Sequence, residues 1–272
     1  MPEGDTLRQA AALLSPVLDG REVTEIWFRK LRGHRPRAGH RIDYVEAVGK
    51  NLLVHFERNL TLRTHLGMTG SWRRSGPDIP APSDPRLRIL IRTDVGTALC
   101  FAAPSIETFV RTAAFSPLAH LGPDVSDDGF NSEVAVARTR QFAGSGLVAE
   151  ALLDQRVAAG IGNVFKSEVA FLAGVHPFSP VESLTDAALH QLWVIAHQQL
   201  VDNRERNARK TTSVLIPGRM YVYGRFRQAC RRCSDSVLYS AAGEVTERST
   251  YWCPRCQGNP SPENKSSRTG VR

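Results

Sequence analysis

Four cysteines stand in two pairs, Cys230-x-x-Cys233 and Cys253-x-x-Cys256, with residues 234–252 between them. Two thiolates spaced this closely can grip one ion from a tight turn, and two such turns complete a tetrahedral sulfur site. Soft thiolates select zinc or an iron–sulfur cluster, and the short intervening segment favours one structural zinc ion. That segment carries Val237-Leu238-Tyr239 and Ser249-Thr250-Tyr251-Trp252 around Ala241-Ala242-Gly243-Glu244, which predicts a β-hairpin joining the two knuckles. The fifth cysteine, Cys100, lies in an apolar run and reads as a buried strand residue without chemistry.

A second chemical group stands at the other end of the chain, in Met1-Pro2-Glu3-Gly4-Asp5. Initiator methionine is ordinarily removed before a small residue such as proline, which exposes a secondary amine. An α-amino group titrates near 8, against roughly 10.4 for lysine, so more of it is an uncharged nucleophile at neutral pH. Attack of a secondary amine on a sugar aldehyde carbon gives an iminium, an electron sink suited to elimination. Glu3 places a carboxyl acid/base beside that amine. The plainer reading of Glu3 is electrostatic support for the first turn of a following helix.

The elements that must position these groups follow from periodicity. Leu7, Ala10, Ala11, Leu14, Val17 and Leu18 recur at helical spacing over residues 5–19, and Gly20 stands where a stop is expected. Short alternating runs predict strands at Val23–Phe28, Ile42–Val48, Leu52–Phe56, Leu60–His65, Leu87–Ile91 and Ala98–Phe101. Ser75–Arg86 holds four prolines and reads as a surface loop. The second half turns helical, with helices at Gly146–Gln155, Val164–Ala173 and about Asp186–Asn203. Ala158-Ala159-Gly160-Ile161-Gly162 forms a turn between the first two, and Asn163 occupies the expected N-cap. The fold class is thus α+β and multidomain: an N-terminal β-sandwich with flanking helices, a helix–two-turn–helix domain and a C-terminal zinc-finger β-hairpin. Residues 116–132 are rich in Pro, Gly and Asp and read as linker. The domain division becomes 1–122, a linker at 123–145, 146–227 for the helical domain, 228–258 for the finger and a disordered tail at 259–272.

Charge is distributed unevenly. The chain has 35 Lys+Arg against 27 Asp+Glu, and residues 204–272 hold 14 of the former and 5 of the latter, so the whole excess sits in the last quarter. A basic segment of this kind points to a polyanion partner. Residues 29–41 add Arg29, Lys30, Arg32, Arg35, Arg37 and Arg41 with no acid among them. No apolar run reaches the length of a membrane span, and the acidic start lacks a signal peptide's apolar stretch, so a cytosolic protein is expected.

Several segments together resemble the formamidopyrimidine-DNA glycosylase/endonuclease VIII family. They are Pro2-Glu3-Gly4-Asp5-Thr6, Gly49-Lys50-Asn51-Leu52-Leu53, His65-Leu66-Gly67-Met68-Thr69-Gly70, Leu153-Asp154-Gln155 with Gly160-Ile161-Gly162-Asn163, and Arg248–Gln257. They occur in family order from residue 2 to 257 with the zinc spacing intact. The Glu-Gly-Asp-Thr start and the Tyr-Trp before the last knuckle look most like the endonuclease VIII branch.

The resemblance implies a bifunctional glycosylase/lyase of base excision repair. Pro2 attacks C1′ of a damaged deoxynucleotide, Glu3 protonates the opening sugar, and the iminium drives β- and δ-elimination that nicks the strand. Lys50 contacts phosphate beside the lesion and assists catalysis. His65 and Asn163 hold backbone phosphates, and Arg248 grips those flanking the flipped nucleotide. Gln155 and Lys166 are neighbours of the same surface. Met68 stands where the family places a wedge that fills the vacated space, because a base must leave the stack to react. The expected partner is damaged DNA, the cofactor one structural Zn2+ held by Cys230, Cys233, Cys253 and Cys256, and the protein a monomer, at the nucleoid when bound. The formamidopyrimidine type's Asp-Pro-Arg-Arg-Phe wedge segment has no match in Glu107–Thr112, whereas His-Leu-Gly-Met looks like that type. Oxidised pyrimidines are the first expected substrates and oxidised or ring-opened purines the second. A non-catalytic zinc-finger DNA-binding protein on the same scaffold is the alternative, and a zinc-ribbon component of an RNA assembly the third reading.

Overall fold

Leu7, Leu14 and Leu18 lie on one face of a single helix, α1 (Gly4–Leu18), and all three are fully buried. The helix ends where Asp19 turns extended and Gly20 takes φ 70°, a left-handed conformation that glycine adopts without cost. The Asp19 carboxylate then accepts from the Val45 backbone N–H at 2.9 Å and pins the helix end to a strand. A computed structural model describes residues 2–112, 116–206 and 208–260. The chain divides into two compact units, Met1–His120 and Leu121–Arg272.

The first unit is a two-layer β-sandwich. One antiparallel sheet has the order β1-β6-β7-β5, from β1 (Glu25–Phe28), β6 (Leu87–Arg92), β7 (Thr97–Phe101) and β5 (Ser71–Ser75). The other has the order β2-β3-β4-β8, from β2 (Ile42–Val48), β3 (Asn51–Phe56), β4 (Leu60–His65) and β8 (Ser105–Val110). Apolar residues of both sheets meet α1 in one core, including Leu52, Val54, Phe56, Leu62, Ile89, Ile91 and Cys100. The buried Cys100 thiol is pushed up to about 12 by desolvation, which makes it inert, as its sequence context predicts.

The second unit holds α2 (Ser132–Ala143), α3 (Val148–Leu153), α4 (Asn163–Leu172) and α5 (Asp186–Asn203), then β9 (Leu238–Ser240), β10 (Thr250–Trp252) and the short α6 (Pro254–Gln257). Asn131 and Thr185 cap α2 and α5 through side-chain oxygens. Phe165, Val169, Ala170 and Trp193 build the helical core, and the Trp193 indole N–H donates to Thr139 at 2.9 Å, tying α5 to α2. Helix α4 has a second buried face: Phe171 packs with Tyr221, Val222 and Val237 around the finger. One helix therefore serves two cores.

Four sequence expectations change. The span expected as linker at 123–145 contains α2, whose Ala135 and Val136 are part of the helical core. Its buried stripe is short and made of small residues, so periodicity hardly marks it. Strands β5 and β8 lie at sheet edges and were hidden by polar residues such as Arg73, Arg74 and Glu107. Helix α3 is shorter than Gly146–Gln155, because Asp154 and Gln155 bond the turn instead of continuing the helix. Asn163 is the first residue of α4 and Gly162 is its N-cap, with φ −121°. The tail expected to be disordered lies outside the described residues beyond position 260.

Candidate active site

Glu3 is the N-cap of α1. Its carbonyl accepts from Thr6 N–H at 2.9 Å and Leu7 N–H at 3.2 Å, and the residue is fully buried. Its side chain does not cap the helix, a task left to the backbone. Glu3 thus opens the helix directly after half-buried Pro2 with its side chain buried.

Lys50 sits at the tip of the β2–β3 hairpin. Val48 pairs with Asn51, so Gly49 and Lys50 form a two-residue turn, and Gly49 takes the φ of 56° that its first position requires. The next residue, Asn51, locks this turn. Its amide donates to the Val48 carbonyl at 3.1 Å and accepts from Arg63 Nε at 2.9 Å, and Arg63 pairs with Glu107 at 2.6 Å. This brace crosses three strands, and the sequence reading missed it. Its one signal was a buried-type strand opening on Asn, directly after the lysine.

His65 ends β4 opposite Asn51. Burial first, then the positive fields of Lys50 and Arg63, hold its pKa below the ordinary 6.5. The Gly67 N–H donates to Nδ1 at 3.2 Å, so the neutral ring carries its proton on Nε2 and can offer it to a phosphate oxygen. Lys50 and His65 are therefore neighbours at one end of one sheet. Met68 lies in the turn that follows, closed by Gly70 N–H to the Leu66 carbonyl at 2.8 Å. It is 68% exposed and so stands outside the core. Both flanking glycines are required: a Cβ on Gly70 would meet the Leu66 carbonyl oxygen at 2.4 Å, and Gly67 has φ 59°.

In the second unit the turn before α4 is folded by Gln155. Its amide donates to the carbonyls of Leu153 at 2.7 Å and Ile161 at 3.2 Å, and accepts from Gly160 N–H at 3.0 Å. Gln155 is thus committed to shaping the turn. Asn163 at the helix start is 7% exposed, donates to Ser249 Oγ at 3.1 Å and leaves its own Oδ1 buried without a partner. Lys166, expected at the surface, is fully buried and donates to the Ser249 carbonyl and to Thr250 Oγ1, both at 2.8 Å. Arg248 itself is exposed beside these residues. So α4 brings Asn163 and the Arg248 turn together.

The four cysteine Sγ atoms lie within 4.8 Å of one another. The Cys230–Cys256 and Cys233–Cys253 separations are 3.9 and 3.4 Å. A tetrahedron of thiolates about 2.3 Å from a central zinc has edges of about 3.8 Å, so the cluster fits such an ion and is too open for disulfides. The Arg232 N–H donates to Cys230 Sγ at 3.4 Å, and Gln257 accepts from Cys253 N–H at 2.8 Å. The sequence reading also passed over Glu168, which is fully buried and accepts backbone N–H bonds from Tyr221, Val222 and Tyr223 at 2.7–2.8 Å. Thr211 donates to it as well, so one carboxylate gathers both ends of the loop 211–223. Burial pushes its pKa up, while these donors act in the opposite sense.

The sequence matches the formamidopyrimidine-DNA glycosylase N-terminal domain over residues 1–105 and the H2TH domain of the same enzymes over 121–213. The probable endonuclease 8 2 of Streptomyces coelicolor is 39% identical, covering 100% of this chain and 99% of the relative. The DNA-(apurinic or apyrimidinic site) lyase Nei2 of Mycolicibacterium smegmatis is 35% identical, covering 94% of this chain and 99% of the relative. The formamidopyrimidine-DNA glycosylase of Lactococcus lactis, solved non-covalently bound to DNA containing an abasic site, superposes with a TM-score of 0.79. That likeness covers 94% of this chain and 100% of the other at 21% identity, a similarity of fold. This chain belongs to the formamidopyrimidine-DNA glycosylase/endonuclease VIII family. It is a DNA glycosylase and apurinic/apyrimidinic lyase of base excision repair.

Proposed function

We propose that the enzyme excises oxidised bases, pyrimidines before purines, through a covalent intermediate at Pro2. The observation that carries this reading is Glu3, a carboxyl buried beside Pro2 at a helix start and spared from capping. With Met1 removed, the Pro2 nitrogen adds to C1′ as Glu3 protonates the opening sugar, and the base departs. The positively charged iminium then withdraws electrons, so a proton is lost from C2′ and the 3′ phosphate leaves; a second elimination releases the 5′ phosphate. Lys50 and the Nε2–H of neutral His65 hold phosphate beside the reacting sugar. Met68, exposed on a rigid turn, fills the gap left by the extruded base. Asn163 and Arg248 bind backbone phosphates, the former at a helix start whose dipole favours anions. Cys230, Cys233, Cys253 and Cys256 hold one zinc ion, whose contribution is to fold the finger. The partner is damaged DNA and the working form a monomer. The site of action is the cytoplasm, at the nucleoid when DNA is bound; no helix among the described residues is long and apolar enough to cross a membrane.

Borohydride reduction on an oligonucleotide with one abasic site tests the reading. The wild type should give a covalent adduct, and Pro2→Gly or retained Met1 should abolish most of it. Full activity with a blocked Pro2 overturns the assignment. Separate scoring of base release and strand cleavage across defined lesions tests the preference for pyrimidines.

A further inference from the structure

Lys166 is a fully buried lysine, and burying an ammonium ion is costly unless it is paired or well bonded. Two of its bonds reach across to the finger: Nζ donates to the Ser249 carbonyl and to Thr250 Oγ1, both at 2.8 Å. The Thr250 hydroxyl in turn donates a hydrogen bond to the Arg248 carbonyl at 3.1 Å, and Thr246 donates to that same carbonyl at 2.7 Å. Asn163, one turn earlier on α4, bonds Ser249 Oγ at 3.1 Å. The backbone of Arg248 is therefore held on a relay that starts inside α4, while its guanidinium stays exposed.

We infer that Lys166 is a positioning residue for DNA binding: it fixes the Arg248 turn against the start of α4, so that Arg248 and Asn163 present a preset pair of phosphate grips. This rests on the reading of Arg248 as a phosphate contact. The physical basis is preorganisation. An exposed arginine in the 241–249 loop between β9 and β10 loses backbone and side-chain freedom on binding, and fixing the loop beforehand removes part of that loss. Lys166 has no exposed surface from which to touch a phosphate, so its effect passes through Ser249 and Thr250.

The test is a double-mutant cycle on the full-length, zinc-loaded protein. Binding to duplex DNA with a reduced abasic analogue is measured for the wild type, Lys166→Met, Arg248→Ala and the double variant, with zinc content determined for each. Lys166→Met should weaken binding roughly tenfold, as losing one charged phosphate bond does. It should also lower the slope of log affinity against log salt by about 0.9, the share of one neutralised phosphate, although Lys166 is buried. The double variant should bind no more weakly than Arg248→Ala alone. Additive losses overturn the proposal, as does wild-type binding by Lys166→Met where Arg248→Ala is impaired. Wild-type binding by Arg248→Ala instead overturns the reading of Arg248 itself. If Lys166→Met loses zinc, Thr250→Val decides: it keeps the ammonium and removes only the relay hydroxyl. Zinc-loaded Thr250→Val should show the same loss, and wild-type affinity there overturns the proposal.

Discussion

Each residue of the first unit's site owes its chemistry to one or two neighbours. Glu3 directly follows Pro2, the proposed nucleophile, and base release needs strong acid assistance while opening an existing abasic site does not. Glu3→Gln should therefore lose base release by about 10²- to 10⁴-fold and retain cleavage of abasic DNA. Paired assays on lesion and abasic oligonucleotides check this, and parallel loss of both would contradict the division of labour. His65 should titrate below 6.5 in the free protein, and Lys50→Ala should move it upward, because the Lys50 charge disfavours the imidazolium. A histidine NMR titration reads both. Pro2, Glu3 and Lys50 were legible as candidates in the sequence because the chemistry proposed for them depends on residue type and local order. The protonated nitrogen of His65 was not, since Gly67 N–H assigns it through a folded turn.

At the scale of elements, the β2–β3 hairpin depends on Asn51. Asn51→Ala removes a bond to the Val48 carbonyl and one from Arg63, leaving polar groups unmade at a 4%-exposed position. It should cost about 1–3 kcal/mol in denaturant unfolding and lower strand cleavage as the Lys50 turn loosens. The strands on either side were predicted within a residue of their ends, because their apolar alternation is local. The Asn51–Arg63–Glu107 brace joins residues 12 and 44 positions apart, a contact that only the sheet register creates. In the second unit, His176 is packed against Phe178 and Trp252, and burial lowers its pKa to about 4. The folded state thus prefers the neutral ring. Its contribution is complete above the unfolded value near 6.5 and is lost as pH falls toward about 4, worth up to about 3 kcal/mol. Melting of the wild type against His176→Gln between pH 7 and 4 should show a steeper acid decline in the wild type.

On the scale of the whole molecule, the proposed zinc site is expected to govern DNA binding through the finger. Chelation of zinc, or Cys253→Ser, should unfold the finger and take the Arg248 turn with it, since ligand binding and folding are one process in such sites. Metal analysis with DNA affinity checks this, and full affinity without zinc would falsify Arg248 as a grip. The basic stretch 29–41 is ordered against β8: Arg32 N–H donates to the Ile106 carbonyl and the Arg32 carbonyl accepts from Thr108 N–H, and Gly33 has φ 94° where a Cβ would strike the Thr108 carbonyl.

The sequence by itself determined the family, most strand limits, the cysteine cluster, and Pro2 and Glu3 as the candidate nucleophile and acid, because each rests on residue type, short spacing or periodicity. Tertiary structure decided what lies beyond local spacing. It turned Lys166 from a surface cation into a buried anchor, Glu168 into the clamp of a loop, and the expected linker into a core helix. Burial is a property of what packs over a residue, and those partners stand tens of positions away in the chain.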